Sequence, residues 1–400
     1  MNVIFLTLGR IQEINSRGIY TDLMRKFRNE GHRIYIVTPN ERQFGLETSL
    51  KEIDGVHILG VKTLNIQKTN FVEKGIGTIL LESQFASAIK KHLSDVTFDL
   101  ILYSTPPITF TRVVKHLKRK SPKAISYLLL KDIFPQNAVD LGFFSKNSLF
   151  YWFFRKKEVE LYQNSDYIGC MSPANVEFVL KHNPFVSADK IEVAPNSVEL
   201  IEDTSNIDKD EVRRRYHLPL DKPIFIYGGN LGKPQGIDYL IQCLDSNKER
   251  TDFYFLVVGS GTEYQKIAAW FEKTLPTNAK LIKSLPKVEY DQLVQASDVG
   301  LIFLDYHFSI PNYPSRLLSY LEYKMPIIAA TDVNTDIGTL ATQNEYGYCC
   351  ESRNVDDFTR CINRYVDNPS SIRIMGEKGY QFLKENYLVN NTYDVIMNHV

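Results

Sequence analysis

The chain has 400 residues, 44% of them apolar and 24% charged, a balance typical of a soluble globular protein and a length that favours two domains. Basic and acidic residues number 47 each, so the chain lacks the basic excess of a nucleic-acid-binding protein. The longest stretch without a charge, 100–111, is about half a membrane span, and the apolar run in MNVIFLTLGR is too short for a signal peptide. We therefore exclude an integral membrane protein and expect a cytoplasmic location.

Short β-branched runs alternate with amphipathic patterns in the first half of the chain. Helices are predicted at 20–30 and 79–92. Strands are predicted at 3–8, 33–37, 56–61, 100–103, 125–130, 167–171 and 191–194. Continuous apolar strands joined by helical crossovers indicate a parallel sheet covered on both faces.

The polar stretch 199–222 interrupts this pattern and predicts a linker, with a short helix from about Lys209. A second series of strands follows at 224–227, 254–258, 279–282, 299–303, 327–330 and 347–350. We predict an α/β fold of two Rossmann-like, doubly wound domains that face each other across a cleft. The first domain spans 1–199, with a C-terminal helix at about 388–400 packing back on it, and the second spans 200–387. Ligands of such sheets bind beyond the carboxyl ends of the strands.

Three glycine-containing turns follow predicted strands. Gly18 precedes the first helix, and IFIYGGNLGKPQGIDYL places four glycines between 228 and 236 before another helix. The third turn, VVGSGTE, contains Gly259 and Gly261. Glycines let the backbone approach a ligand, and helix N-termini offer N–H groups to phosphates, so the three turns fit an extended nucleotide. The alternative is that they are ordinary tight turns.

The stretch IPNYPSRLLSYLEYKMP places Arg316 in the first turn of a predicted helix, where the helix dipole is already positive. Pro311 and Pro314 make the approach rigid, and Ser315 is a suitable N-cap. A diphosphate at this position would meet the guanidinium and the helix N–H groups together, each charge-assisted bond contributing about 1.5–3 kcal/mol. The alternative is a surface arginine that pairs with a nearby aspartate.

The chain also contains a series of longer motifs: EGHRIYIVTP, DLILYSTPPIT, LLLKDIFPQNAVDLG, SDYIGCMSP, VAPNSVE, YGGNLGKPQGID, VVGSGTE, ASDVGLIFL and PSRLLSYLEYKMPIIA. Together they resemble, over essentially the whole chain, the retaining GT-B glycosyltransferases of family 4, in the branch that builds bacterial capsules and O-antigens. The resemblance implies transfer of a sugar from a nucleotide-sugar donor, without a metal ion.

The resemblance implies roles for individual residues. The donor diphosphate would be bound by Gly18, Asn230, Lys233, Gln235, Ser315 and Arg316. The base would be framed by Gly259, Gly261, Ser284 and Leu285. Asp132 stands where the family has a polar active-site residue and would act near the sugar as the catalytic group. The alternative is that Asp132 caps the turn before Pro135.

Two family glutamates are replaced in this sequence. Counting back from Pro326, their positions are occupied by Ser319 and Pro311. Glu322 lies three residues after Ser319 on the same helical face, so one of these two would contact the ribose.

The phosphate-binding pair of the family is replaced as well. The usual arginine and lysine after the first strand of the second domain are Asn230 and Gln235. Neutralisation of the diphosphate therefore falls on Arg316 and Lys233.

The segment 143–162, FFSKNSLFYWFFRKKEVELY, sets aromatic residues beside basic ones. An interfacial helix has this composition, which predicts membrane contact by Trp152, Phe153, Arg155 and Lys156. A buried helix with one solvated end has the same composition and is the alternative.

We predict a hexosyl- or N-acetylhexosaminyltransferase that acts in bacterial surface polysaccharide synthesis with retention. A UDP-sugar is favoured over a GDP-sugar, and the acceptor would be a glycan or a polyprenyl-diphosphate-linked oligosaccharide. No cofactor or metal is expected, since the eight histidines lack ligand spacing and the DKD sequence at 208–210 lies in the linker. The expected location is the cytoplasm or the inner face of the cell membrane. The alternatives are a GT-B nucleotide-sugar epimerase and a catalytically silent subunit of a glycosyltransferase complex.

Overall fold

A computed structural model describes residues 1–66, 71–200 and 207–400, apart from the side chains of residues 71, 72 and 74. Contacts divide the chain into two units, the first formed by Met1–Glu199 with Leu388–Val400 and the second by Leu200–Tyr387. Part of the predicted linker, 201–206, lies outside the described residues.

The first unit is built on an eight-stranded sheet of order β3-β4-β2-β1-β5-β6-β7-β8. Its strands are β1 (Asn2–Leu6), β2 (Arg33–Glu41), β3 (Ser49–Ile53), β4 (Val56–Thr63), β5 (Leu100–Ser104), β6 (Ile125–Leu130), β7 (Tyr167–Cys170) and β8 (Ile191–Val193). The expectation of a purely parallel sheet is wrong at one edge, where β3 pairs antiparallel with β4. The sequence pattern misses β3 because its central side chains are exposed, so the strand carries no apolar alternation.

Helices connect these strands. They are α1 (Ile19–Asn29), α2 (Phe71–His92), α3 (Thr111–Lys120), α4 (Gln136–Asp140), α5 (Leu149–Gln163) and α6 (Pro173–His182). Helix α2 begins eight residues before the predicted start, because its first half exposes apolar residues and lacks the amphipathic period. Ile76 is 48% exposed and Ile79 is 57% exposed.

The second unit is built on a six-stranded parallel sheet of order β11-β10-β9-β12-β13-β14. Its strands are β9 (Ile224–Asn230), β10 (Tyr254–Ser260), β11 (Ala279–Lys283), β12 (Val299–Phe303), β13 (Ile327–Thr331) and β14 (Gly347–Glu351). Its helices are α7 (Lys209–Arg215), α8 (Ile237–Ser246), α9 (Tyr264–Thr274), α10 (Lys287–Ala296), α11 (Arg316–Glu322), α12 (Ile337–Gln343), α13 (Val355–Val366) and α14 (Ser370–Asn386). The strands at the centre of this sheet are buried, as the continuous apolar runs predict.

The last helix, α15 (Val389–Met397), belongs to the first unit. The Val389 backbone N–H donates to the Val198 carbonyl at 3.1 Å, and the Tyr393 ring packs edge-on against Phe27 at 4.8 Å between centroids.

The prediction of two doubly wound α/β domains is confirmed. In each sheet the strand order reverses at one point, between β1 and β5 in the first unit and between β9 and β12 in the second. In doubly wound folds, ligands bind at such a reversal point, in the crevice outside the carboxyl ends of the strands. Each unit therefore has one expected position for a ligand-binding site.

Candidate active site

The turn after β9 lies at the reversal point of the second sheet. Residues Lys233–Gln235 form a single 3₁₀ turn, and Gly236 follows with φ +57°, a left-handed conformation that favours glycine. The backbone N–H of Asp305, just beyond β12, donates to the Pro234 carbonyl at 3.0 Å. This hydrogen bond joins the loop after β9 to the loop after β12, at the edge of the sheet where ligands bind.

Arg316 is the first residue of α11 and reaches this turn. Its Nη2 donates to Oε1 of Gln235 at 2.7 Å, and its guanidinium carbon lies 4.5 Å from the centre of the Tyr227 ring. Its Nη1 is buried and has no hydrogen-bond partner in the described part of the chain. The predicted diphosphate residues Arg316 and Gln235 thus lie together, and one guanidinium nitrogen is buried without a partner among the described residues.

The other predicted diphosphate residues of the second unit surround this pair. Asn230 ends β9, is exposed, and its carbonyl accepts a hydrogen bond from the Tyr227 hydroxyl at 2.6 Å. Lys233 is also exposed. Ser315 occupies the N-cap position of α11, but its side chain makes no capping hydrogen bond, so the predicted cap is absent from the described structure.

Three tyrosines, Tyr227, Tyr290 and Tyr320, lie close to Arg316, and no sequence pattern predicts them. Besides Tyr227, the Tyr290 hydroxyl fills the space where a side chain at position 228 would lie. The Tyr320 hydroxyl accepts from the Gly228 N–H at 3.3 Å. Burial raises the pKa of Tyr290 to about 12, so its hydroxyl stays protonated at neutral pH. The sequence signal was weak, because these tyrosines come from a strand and two helices far apart in the chain.

Backbone packing at the end of β10 accounts for the presence of glycine at positions 259 and 261 without a ligand. A Cβ on Gly259 would overlap the carbonyl oxygen of Gly229, and one on Gly261 would overlap that of Leu231. The two glycines therefore allow the β9 and β10 turns to pack backbone to backbone. Their predicted contact with a base stays a prediction.

The remaining residues predicted to contact base or ribose lie on two elements. Ser284 is exposed and Leu285 half-buried in the loop between β11 and α10. On α11, Ser319 is half-buried, whereas Glu322 is only 3% exposed. Burial of Glu322 leaves Ser319 as the better placed of the two for a ribose contact.

Gly18 lies at the N-terminus of α1 in the first unit, after the β1 loop. Its backbone N–H donates to Oδ1 of Asp22 at 3.0 Å. The same carboxylate oxygen accepts from Arg25 at 2.5 Å, and Arg25 also contacts the Glu199 carboxylate at 2.7 Å. The Gly18 N–H is thus already bonded within the unit, so a phosphate contact there would require another group of this loop.

Asp132 follows β6 by two residues, at the carboxyl edge of the first sheet. Its backbone N–H donates to the Thr105 hydroxyl at 3.2 Å, and its Oδ1 accepts from Nδ2 of Asn137 at 2.7 Å. Burial raises the pKa of Asp132 to about 6. A carboxyl group with this pKa can hold or release a proton near neutral pH, as an acid or base catalyst does.

Lys131, the neighbour of Asp132, was not predicted. Its Nζ donates to the Ala194 carbonyl at 2.8 Å, and burial lowers its pKa to about 7. Two adjacent groups with opposite shifts are typical of functional sites.

The segment 143–162 exposes four of its aromatic residues, Phe143, Phe150, Trp152 and Phe153, whereas Tyr162 is buried. Trp152 is 62% exposed and Phe153 is 42% exposed on the first turns of α5. Arg155 does not share this exposure, because it bonds Glu158 at 2.6 Å and Asn183 at 2.6 Å, while Lys156 is exposed. The first turns of α5 are therefore exposed and its last turn is buried, and the predicted membrane contact stays a prediction.

Within the described residues, no helix is long and apolar enough to cross a membrane.

The DKD sequence at 208–210 has a structural role. The Asp208 carboxylate caps α7 by accepting from the backbone N–H groups of Asp210 and Glu211, each at 3.0 Å. Across the described part of the chain, no group of three or more His, Cys, Asp or Glu side chains could hold a metal ion.

Comparison with known proteins finds a family match within the second unit. Residues 208–382 match the family of glycosyl transferases group 1. The probable glycosyltransferase WbjE of Pseudomonas aeruginosa is 23% identical over 270 residues, covering 65% of this chain and 64% of that protein. The putative colanic acid biosynthesis glycosyl transferase WcaI of Escherichia coli is 24% identical over 210 residues, covering 51% of each chain. The chain thus spans between about half and two thirds of the length of these curated relatives.

Solved structures agree with this assignment at the level of the fold. Sucrose-phosphate synthase from Thermosynechococcus elongatus has a TM-score of 0.75 at 14% identity, covering 100% of this chain and 98% of that one. HepE of Anabaena in complex with UDP-glucose has a TM-score of 0.69 at 13% identity, covering 100% and 99%. WaaG, a glycosyltransferase involved in lipopolysaccharide biosynthesis, has a TM-score of 0.67 at 12% identity, covering 98% and 99%.

The fold is therefore that of the GT-B glycosyltransferases, and the second unit contains a glycosyltransferase group 1 domain.

Proposed function

We propose that the protein is a family 4 glycosyltransferase that transfers a hexosyl or N-acetylhexosaminyl group from a nucleotide-sugar to a glycan, with retention of configuration. The observation that carries the proposal is Arg316. Its guanidinium is fixed by Gln235 and Tyr227 at the carboxyl edge of the second sheet, with Nη1 unpartnered in the described structure. A diphosphate leaving group is the anion expected at this position of a group 1 domain.

The chemical role of this arrangement is electrostatic. As the bond between sugar and diphosphate breaks, negative charge accumulates on the diphosphate oxygens. Arg316, held in place before the reaction, stabilises that charge without reorganisation, and Lys233 on the same turn adds a second cation. Preorganised donors of this kind contribute about 2.7–4 kcal/mol each to transition-state stabilisation.

A UDP-sugar is the proposed donor. HepE, a structural neighbour, was solved in complex with UDP, with UDP and glucose, and with UDP-glucose. The curated relative WcaI is described as a colanic acid biosynthesis glycosyl transferase, which supports a surface polysaccharide, such as a capsule or an O-antigen, as the product.

The proposed acceptor is a glycan carried on a polyprenyl diphosphate, which brings the enzyme to the inner face of the membrane. The apolar first turn of α5 supports this peripheral contact, with Leu149 87% exposed and Phe150 69% exposed. The exposed Lys156 supplies positive charge for anionic lipid headgroups, whereas Glu158 on the same helix is buried against Arg155.

The test is calorimetric titration of the full chain with UDP. Arg316→Ala should weaken binding by at least about 2 kcal/mol, roughly thirtyfold, because a charge-assisted contact is lost. Arg316→Lys should recover part of the affinity, since an ammonium cannot bind two oxygens side by side. Arg353→Ala removes an exposed arginine that pairs with Glu351 and is the matched control. Unchanged UDP affinity in Arg316→Ala would overturn the assignment of this site.

The absence of the two family glutamates favours one alternative, a catalytically silent subunit. Ser319 is one of the two replacements and is half-buried on α11. Incubation of the wild-type chain with UDP-sugars and a membrane extract separates the possibilities. Turnover that depends on the extract indicates a transferase, turnover without it indicates an epimerase or hydrolase, and binding without turnover indicates the silent subunit.

A further inference from the structure

Arg316 belongs to the first turn of a short helix. Helix α11 has seven residues, and Ser315 makes no side-chain capping hydrogen bond within the described residues. The backbone N–H groups of a first turn lack partners inside the helix, so an uncapped turn frays easily. Here the turn is closed only by short-range bonds, from the Leu317 N–H to the Pro314 carbonyl at 3.2 Å and from the Leu318 N–H to the Ser315 carbonyl at 3.1 Å. The direction of the Arg316 side chain therefore depends on the loop that leads into the helix.

The loop before α11 is fixed to two other parts of the second unit. The Thr335 hydroxyl, beyond the end of β13, donates to the Asn312 carbonyl at 2.6 Å. The Tyr313 hydroxyl lies 2.5 Å from the hydroxyl of Tyr387, the residue that follows α14. We call Tyr313 and Tyr387 the tyrosine pair. Two residues separate Tyr313 from Arg316, and the first of them is a proline with a restricted backbone, so the position of the Tyr313 ring constrains the start of α11.

The hydrogen bond of the tyrosine pair is shielded from water. Tyr387 is only 4% exposed, and burial raises the pKa of both hydroxyls above their ordinary value near 10. Both hydroxyls therefore stay protonated at neutral pH, and one donates while the other accepts. A hydroxyl that lost its partner at this depth would be costly, so the two side chains favour the joined arrangement.

Tyr387 is itself held by the helix that packs against α11. Its ring lies edge-on to Phe382 of α14, with 5.5 Å between the ring centroids. Helix α14 packs against α11, and a Cβ on Gly379 would lie 2.8 Å from the Leu321 side chain near the end of that helix. The tyrosine pair adds a contact before the start of α11. Helix α14 and the residue after it therefore support α11 at both ends.

We propose that Tyr387 is a positioning residue of the donor site, which acts through Tyr313 to hold Arg316 in the orientation that binds the diphosphate. This inference rests on the proposed function, because it takes Arg316 to bind a diphosphate. Gln235 and Tyr227 hold the guanidinium itself, whereas the tyrosine pair holds the backbone from which it extends. Since the two sets of contacts are separate, loss of the pair weakens diphosphate binding without removing it.

The first experiment is calorimetric titration of the full chain with UDP. Tyr387→Phe keeps the ring and removes the hydroxyl, so the dissociation constant should rise about fivefold, the effect of one neutral hydrogen bond. Tyr313→Phe should have the same effect, and the double variant should be no worse than either, because all three lose the same bond. In an Arg316→Ala background, Tyr387→Phe should change the affinity by less than about 1.5-fold, since the pair acts through that side chain.

Tyr365→Phe is the matched control. The Tyr365 hydroxyl is buried in the same unit and donates to the Ile327 carbonyl at 3.1 Å, at the amino end of β13 and away from the ligand edge of the sheet. This variant also loses one buried hydrogen bond of a tyrosine. It should lower the thermal midpoint as Tyr387→Phe does, but it should leave the UDP affinity unchanged.

Hydrogen exchange of the ligand-free chain gives a second measurement, which does not need UDP. The amides of Leu317 and Leu318 should exchange about fivefold faster in Tyr387→Phe than in the wild type, because the first turn of α11 opens more often. In Tyr365→Phe they should exchange at the wild-type rate. If Tyr387→Phe unfolds below the measuring temperature, Tyr313→Phe takes its place.

The proposal is wrong if Tyr387→Phe binds UDP as the wild type does, if its effect is undiminished in the Arg316→Ala background, or if exchange of the two amides is unchanged. An equal loss of UDP affinity in Tyr365→Phe would also overturn it, because the effect would then be one of general stability. Failure of the wild type to bind UDP would instead count against the proposed function. The exchange rates would still decide whether the tyrosine pair holds the turn that carries Arg316.

Discussion

Asp132 has a buried carboxyl group and lies at the carboxyl edge of the first sheet, where the ligands of such sheets bind. Its Oδ1 is bonded to Asn137, and burial raises its pKa to about 6. The bond to Asn137 shows that the carboxyl group does take part in the local turn, as the capping alternative requires. A catalytic role beside the sugar nevertheless stays the stronger prediction, because a cap alone does not need a residue whose charge is costly to bury.

Replacement of Asp132 by asparagine should separate catalysis from donor binding. Asp132→Asn keeps the shape and the contact with Asn137 but removes the charge. Transfer to acceptors in a membrane extract should fall by about a hundredfold or more, the scale of a positioned acid or base. UDP affinity measured by calorimetry should stay within about twofold. Equal turnover in variant and wild type would reject the catalytic role.

The same variant should show how burial of Asp132 affects stability. The raised pKa means that the folded state holds a proton more tightly than the unfolded chain, whose aspartates titrate near 3.9. The contribution to stability is therefore fully present below about pH 4 and is lost as the pH rises through about 6.

Asp132→Asn cannot ionise and avoids a cost of about 3 kcal/mol at pH 8, so its first thermal transition should lie about 6–12 °C above that of the wild type at that pH. The difference should vanish at pH 4. A difference that does not change between these two pH values would show that the carboxyl group is not buried in solution.

Among the elements, α5 has a composition that fits two kinds of helix, and the exposure of its side chains adds the information that the composition lacks. The helix begins at Leu149 with apolar side chains exposed to solvent, and its buried residues, Glu158, Leu161 and Tyr162, lie in its second half. The amino-acid composition alone does not distinguish a buried helix from an interfacial one.

Vesicle binding tests the interfacial role of α5. The wild type should co-sediment with vesicles containing anionic lipid, and added salt should weaken the interaction because headgroup charges are screened. The double variant Trp152→Ser and Phe153→Ser should abolish co-sedimentation with an unchanged thermal transition.

The control for vesicle binding is Leu275→Ser, which removes a 77% exposed apolar side chain from the second unit and should bind as the wild type does. If the α5 variant instead unfolds at a much lower temperature, its aromatic residues support the fold rather than a membrane contact.

At the scale of the whole molecule, the proposed chemistry relies on fixed cations and helix termini rather than on a metal ion. Arg316 and Lys233 lie at the ligand edge of the second sheet, and the DKD sequence at 208–210 is used to cap α7. Transfer activity should therefore survive an excess of EDTA. Loss of activity that manganese or magnesium restores would contradict the electrostatic account of leaving-group stabilisation.

The fold could be predicted from the sequence because the patterns that indicate strands and helices are local and recur along the chain. Apolar runs between helical patterns mark strands one at a time, and β6 and β12 have the predicted bounds. The pattern fails at β3, whose exposed edge position leaves no apolar period, and in the first half of α2 for the same reason.

The position of Arg316 could also be predicted from the sequence, since a helix start after a strand of a parallel sheet can be recognised locally. Its contact with Gln235, 81 residues away in the chain, was predicted only through the resemblance to a family and not by any local pattern. The stacking ring of Tyr227, on β9, was not predicted. The contact between Lys131 and Ala194 is a similar case, because it forms only when β6, β7 and β8 lie side by side. Local patterns determine which elements form, whereas contacts between side chains of distant elements exist only after those elements have packed, so the tertiary structure alone decided them.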